Sequence, residues 1–166
     1  MDPAWLLAAL RSRFPGVRFD PCASSGQRRI VAPPEALTQA LSNLIGNAVD
    51  ASPVGGEVRV GMTANGGVVE FHVTDCGGGL SEEVRVHAGE PFFTTKPPGR
   101  GMGLGLFLVR LLARRLAGEL RFETPNGSGK WGPVPMIPFE GKVPPGDMQR
   151  LAGWILGYRW GSVLAD

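Results

Sequence analysis

The chain has 166 residues, 43% hydrophobic and 19% charged, with a formal net charge of +2 and two cysteines that form no CxxC pair. That length suits one domain with a proper core and hardly two, and the cysteines exclude a disulfide framework and fit a reducing compartment. The arginines are scattered rather than gathered into a basic stripe, which gives no reason to expect nucleic acid, and no run approaches the roughly 18 apolar residues of a membrane span.

The opening MDPAWLLAALRSRF has no basic region ahead of its short apolar run and no small-residue cleavage site. It is predicted to be a helix rather than a signal peptide, with Asp2 as N-cap and Pro3 at the first helical position. GVRFD and RRIVA then alternate as strands on either side of the turn-like PCASSGQ. Pro33 and Pro34 open a helix over PEALTQALSNLIGNAVDAS, with Glu35 in its first turn. Leu37, Ala40, Leu41, Leu44, Ile45 and Ala48 recur at helical spacing, and Pro53, Gly55 and Gly56 end the run. EVRVGMTA and VVEFHVTD follow as strands, joined by the hairpin signal NGG. A glycine-rich irregular span from Cys76 to Gly101 leads to a second long helix, LGLFLVRLLARRLA, and a strand, GELRFET. From Asn126 the composition changes.

Three constellations bear on chemistry. Asn43, Asn47 and Asp50 are spaced four and three apart, so at about 100° per residue they share one narrow stripe opposite the leucines. A solvated face explains such a stripe, although asparagine is a poor helix former and two stacked in mid-helix need a reason. In DCGGGL, Asp75 ends a strand and Gly77 and Gly79 follow at alternate positions. A carboxylate there can accept from an exocyclic amine while the glycines let backbone pass a flat ring, yet Asp and Gly also make ordinary turns. GMGLGL runs straight into a helix, where unhindered N–H groups can receive a phosphate, although a lone GxGxG is weak evidence.

Taken in order, NLIGNAVDAS, DCGGGL, PFFTTK and GMGLGL resemble the N box, first glycine box, F box and second glycine box of the ATP-binding catalytic domain of bacterial sensor histidine kinases. That family lies within the gyrase, Hsp90, kinase and MutL superfamily, and the resemblance covers residues 1–124. GEPFFTTKPPGRGMGLGLFLVRLLA is especially similar to the redox-responsive sensor kinases of proteobacteria. The resemblance implies an α/β two-layer sandwich, a mixed sheet with helices on one face, its last strand missing or replaced by the tail. It implies ATP and Mg²⁺ as ligands, with Asn47 on the metal and Asn43 beside the phosphates or the metal, these two forming the catalytic pair. Asp75 would take the adenine amine, with Gly77 and Gly79 near the ring. Phe92, Phe93, Thr94 and Thr95 would belong to a mobile lid. Gly101, Gly103 and Gly105 would give backbone donors to the phosphates, and Asp50, Leu104 and Leu106 complete the nucleotide-binding set. The sign of their charge makes Lys96 or Arg100 a partner for phosphate.

ATP-hydrolysing members of the superfamily carry a glutamate four residues before the metal asparagine, and here that position is Asn43. An amide takes no proton from water, so transfer is favoured over hydrolysis and a gyrase-like or Hsp90-like ATPase becomes the lesser alternative. The expected function is phosphoryl transfer to a histidine on a separate phosphoacceptor domain, with a response regulator downstream in two-component signalling. His72, in a predicted strand, and His87, in a loop, lie in no phosphoacceptor context. The expected location is cytoplasmic, alone or as the cytoplasmic part of a membrane-bound sensor, with no direct membrane contact and no nucleic acid.

The expected division is residues 1–125 for the catalytic domain and 126–166 for a tail. Pro133, Pro135, Pro138, Pro144 and Pro145 cannot make a central strand. The tail resembles the C-terminal part of small class I cytochromes c, in which Met136 would be an axial haem ligand and LAGWIL the closing helix. This leaves a haem-related electron-transfer fragment as another alternative. CxxCH is absent, so covalent haem attachment is excluded, and a loop methionine packed on Trp131 or Phe139 is the plainer account of Met136.

Overall fold

The computed structural model describes residues 1–21, 23–24, 30–65, 68–97, 99 and 101–123. Arg100, Met136 and the whole tail segment lie outside the described residues, as do Arg28 and Arg29 of the expected strand RRIVA.

Helix α1 spans Pro3–Arg13 and starts as its sequence dictates: Asp2 Oδ1 accepts from the Ala4 N–H at 2.8 Å, and Pro3 needs no partner for an N–H it lacks. Leu6, Leu7 and Leu10 form its buried stripe. Helix α2, Pro34–Ala51, has no side-chain cap at Pro33, and its first turn carries Glu35 against the positive end of the helix dipole. All six residues expected on its apolar face are buried, joined by Ala36. Full burial of Leu37, Leu41 and Ile45 stabilises the fold by about 1.5–3 kcal/mol each.

Among the described residues four strands make one sheet. β3, Arg59–Asn65, runs antiparallel to β4, Val68–Thr74, in unbroken register from Arg59↔Thr74 to Asn65↔Val68. β1, Arg18–Phe19, and β2, Ala23–Ser24, both lie parallel to β3. From Phe19 to Ala23 the chain advances four positions while β3 advances three, from Val60 to Thr63, so the two short strands act as one interrupted strand with an extra residue at the break. Pro21 falls in that break, where its missing N–H removes a ladder donor.

Three expectations need correction here. Ile30–Ala32 is not strand; instead Ile30 and Met1 bond each other reciprocally, the Ile30 N–H to Met1 O at 2.9 Å and the terminal ammonium to Ile30 O at 2.6 Å. The segment expected as a turn supplies β2. Of the strand expected over GELRFET, the described residues 118–123 keep a single bridge residue, Leu120.

Alternation along the hairpin separates two faces. Val60, Met62, Phe71 and Val73 point into one hydrophobic core with the apolar stripes of α1, α2 and α4, the last spanning Gly105–Arg115. The opposite face is polar: Arg59 grips Asp20 with bonds of 3.0 and 3.1 Å, and Thr63 bonds Glu70 and His72, each at 3.3 Å. The result is the expected α/β two-layer arrangement, a mixed sheet with helices on one face. A short helix, α3 at Glu82–His87, lies inside the span read as irregular; Ser81 Oγ caps it by accepting from the Val84 N–H at 3.2 Å.

Candidate functional site

The polar stripe of α2 is the floor of the site. Asn43 and Asn47 are half-buried and Asp50 is exposed at the helix end. Asn43 is held at both ends of its amide: Gln39 Nε2 donates to its Oδ1 at 3.1 Å, and its Nδ2 donates to Gly105 O at 3.4 Å. The second bond ties α2 to the first turn of α4, whose Leu104 N-cap offers no side-chain acceptor to that turn's N–H groups.

At the C-terminal end of α2, Asp75 leaves β4 and is only 6% exposed. Its Oδ1 accepts from the Gly77 N–H at 2.7 Å, and burial still holds its carboxyl above the usual carboxylate range because the one backbone bond only partly offsets desolvation. Gly77 has to be glycine, since a Cβ there would lie 2.8 Å from Ala51 O and 2.9 Å from Asp75 Oδ1. This close approach seats the Asp75 turn against the last residue of α2. The turn is fastened from outside as well, by Cys76 N–H to Ser52 Oγ at 3.4 Å and Cys76 Sγ to Glu57 O at 3.3 Å. Gly79, at φ 81°, turns the chain away toward α3.

The glycine-rich segment forms the wall opposite. Its ends are pinned together by the Phe92 N–H bond to Gly103 O at 3.1 Å. Gly103 sits at φ 68°, and a Cβ on it would lie 2.4 Å from the carbonyl carbon of Phe92. Phe92 adopts φ 66° with its ring 75% exposed, while Phe93 stacks on His87 of α3 at a centroid distance of 5.4 Å. Phe93 is therefore the anchor of the segment and Phe92 its outward-facing member. Thr94 Oγ1 accepts from the Lys96 N–H at 3.1 Å, and the Lys96 stem passes close to Gly101. The Lys96 ammonium then reaches α2, 3.0 Å from Asn47 Oδ1 and 2.6 Å from Asp50 Oδ2.

Asn43, Asn47, Asp50, Lys96, Gly101, Gly103 and Gly105 are thus linked around one cradle, with Asp75 and Gly77 at its far end. Thr95 is exposed, and Leu106 packs on the core as a partly buried residue. Sequence reasoning did not single out Gln39, whose position one turn before Asn43 was the available signal. His87, expected as a solvated loop residue, closes α3, bonds Glu90 at 3.1 Å and supports Phe93.

Among the described residues no group of three or more His, Cys, Asp or Glu side chains is placed to hold a metal. The Asn47 amide oxygen and the Asp50 carboxylate, which both face the Lys96 ammonium, are a donor pair that fits Mg²⁺, an ion that binds through one or two protein oxygens and completes its shell with water and substrate phosphates. The Lys96 ammonium marks the point on which those two oxygens converge.

The histidine kinase-, DNA gyrase B- and HSP90-like ATPase family matches residues 32–134, more than half of the chain. Over 132 residues the chain is 35% identical to the histidine protein kinase DivJ of Caulobacter vibrioides, covering 78% of this chain and 22% of that protein. It is also 35% identical over 109 residues to the sensor histidine kinase ZraS of Escherichia coli, covering 63% of this chain and 23% of that protein. The chain therefore spans less than a quarter of the length of either relative. Full-length ShkA, solved in complex with AMPPNP, superposes with a TM-score of 0.69 at 28% identity, over 87% of this chain and 32% of that one. The chain belongs to the histidine kinase-, DNA gyrase B- and HSP90-like ATPase family, within which it is similar to sensor histidine kinases.

Proposed function

We propose that this chain binds ATP with Mg²⁺ along the polar stripe of α2 and donates the γ-phosphate to a histidine on a separate phosphoacceptor domain, which passes it to a response regulator. The observation that carries this reading is the convergence on one helix of a buried carboxylate, Asp75, an amide row, Asn43 and Asn47, and a glycine-lined helix start at Gly105. Asp75 accepts from the adenine amine, and Gly77 and Gly79 bring backbone beside the ring. Asn47, with Asp50 beside it, would hold the metal, which would neutralise charge on the phosphates. The N–H groups near Gly101, Gly103 and Gly105 receive the phosphate oxygens, with Leu104 and Leu106 flanking Gly105. Phe92, Thr94, Thr95 and Lys96 form the covering segment, and the charge of Arg100 makes it a further partner for phosphate.

Asn43 supports transfer over hydrolysis. Its amide is engaged by Gln39 and Gly105 O and has no lone pair basic enough to deprotonate water. Neither described histidine is presented as an acceptor: His72 lies in β4 bonded to Thr63, and His87 is engaged with Glu90 and Phe93. The acceptor belongs to another domain, as the short span relative to the curated relatives suggests. No helix among the described residues is long and apolar enough to cross a membrane. We place the domain in the cytoplasm and its boundary near residue 125, with the tail outside the catalytic unit.

Calorimetric titration with ADP, with and without Mg²⁺, tests the site. The expected affinity is micromolar, and at 100 times the dissociation constant linkage stabilises the fold by about 2.7 kcal/mol. Asn47→Ala should lose the Mg²⁺ dependence. If Asn47→Ala and Asp75→Asn both bind as the parent does, the assignment fails. Incubated alone with radioactive ATP, the chain should gain no acid-labile label; a separately expressed acceptor hairpin from a matching kinase should become labelled.

A further inference from the structure

Lys96 makes the contact between the covering segment and α2. A primary ammonium is a compact point charge with three donor protons, so two oxygens that converge on it are oxygens arranged for a small cation. One of the two, Asn47 Oδ1 at 3.0 Å, is the atom to which the proposed function gives the metal. The other, Asp50 Oδ2 at 2.6 Å, is the nearest carboxylate to that point. An ammonium and a divalent ion cannot share these oxygens, because both would have to occupy the one position that lies 2.6–3.0 Å from the pair.

We propose that Lys96 is a tethered competitor of the metal: it holds the metal position in the absence of nucleotide, latches residues 92–97 onto α2, and is displaced when Mg²⁺ arrives with a nucleotide. This rests on the metal assignment made above. Charge explains the order of events. Asp50 and Lys96 neutralise each other, so a bare divalent ion gains little by evicting the lysine. A polyphosphate supplies the extra negative charge that makes the exchange favourable, and the displaced ammonium finds phosphate oxygens within its reach. The stem transmits the change: a Cβ at Gly101 would lie 3.3 Å from Lys96 Cδ and 3.4 Å from Thr94 Oγ1, so the lysine chain already rests on the backbone that meets the phosphates. The latch is also weak enough to open. The Lys96 and Asp50 side chains are 34% and 60% exposed, which puts the pair in the range of partly solvated ion pairs.

The test uses the full chain without nucleotide and Mn²⁺ as the probe, read by the loss of its free-ion electron paramagnetic resonance signal. Lys96→Gln should bind Mn²⁺ about two- to fivefold more tightly than the parent, the range expected from removing a partly exposed ion pair. Amide hydrogen exchange at residues 93–96 should quicken in the same variant. Asp50→Asn should quicken the same amides yet bind Mn²⁺ more weakly, because it removes a ligand along with the latch. An unchanged Mn²⁺ affinity in Lys96→Gln overturns the competition, and unchanged exchange overturns the latch. Asn47→Ala separates the two levels: if it leaves Mn²⁺ binding intact, the metal assignment itself is wrong, whereas loss of binding there with no effect of Lys96→Gln removes only the latch.

Discussion

Asp75 carries a cost to the fold that the proposed adenine contact would explain. Burial raises its carboxyl above the unfolded value near 3.9, with only the Gly77 N–H to stabilise the charge. A carboxylate with a raised folded pKa contributes stability below the unfolded pKa, and that contribution is lost as pH rises through the folded pKa. Wherever it is charged, a buried Asp75 is therefore a cost to the fold, one that the proposed adenine contact would account for. Asp75→Asn keeps an oxygen for Gly77 and drops the charge, so thermal melting at pH 7 should place the variant at or above the parent. Its adenine nucleotide affinity should fall by roughly tenfold to a hundredfold, the worth of a hydrogen bond to a charged group, about 1.5–3 kcal/mol. A melting point clearly below the parent's would contradict the account. Asp75 and the asparagine row were legible in the sequence because a strand end and a helical stripe are short-range patterns. Gln39 was not, since its role depends on Asn43 also reaching Gly105, 62 positions further along the chain.

At the level of elements, the alternate glycines before α4 look equivalent in sequence and are not equivalent in space. Gly103 is required by the fold of the segment itself: its φ is 68°, and a Cβ would meet Phe92 at 2.4 Å and Phe93 N at 2.7 Å. Gly105 is helical, and a Cβ there would come no nearer than 3.7 Å, against Asn43. Gly103→Ala should break the Phe92–Gly103 tie and raise amide exchange across residues 92–97. Gly105→Ala should melt at or above the parent, because alanine exceeds glycine by roughly 1 kcal/mol within a helix. Gly105→Ala should nonetheless weaken ADP binding if phosphate oxygens come to that turn; equal affinity in calorimetry would remove Gly105 from the phosphate set. α2, α4 and the β3–β4 hairpin were legible to within a few residues by their periodicity, and α1 by its Asp2–Pro3 start. α3 had its signals, a Ser81 cap, Glu82 and Glu83 in the first turn and Arg85 and His87 in the last, but at six residues it is too short for a stripe to stand out among glycines. RRIVA alternates as a strand does, yet Ile30 bonds the chain start, a long-range pairing that no local pattern reports.

For the molecule as a whole, α2 is the element on which both core and site depend: its apolar stripe packs against α1, α4 and β4, and its polar stripe carries the site. Separating the two stripes lets a core substitution be told from a site substitution. Ile45→Ala, fully buried, should cost about 2–5 kcal/mol of stability in a denaturant titration with the ligand set intact. The two-layer architecture was legible because helical and strand periods alternate through residue 123, whereas the tail beyond it offers proline-rich text whose place no period can assign. Among the described residues the core runs from Leu6 to Leu116, with Leu120 packed against it. Every contact that shapes the cradle likewise lies between Gln39 and Gly105. If the tail stands outside the catalytic unit, truncation after Gly129 should leave ADP affinity within about threefold, a change of roughly 0.65 kcal/mol. The truncated chain should also keep its cooperative melting transition. Collapse of that transition would mean that residues beyond 129 pair with a sheet edge that otherwise exposes N–H and C=O groups, and the boundary near residue 125 would then be wrong.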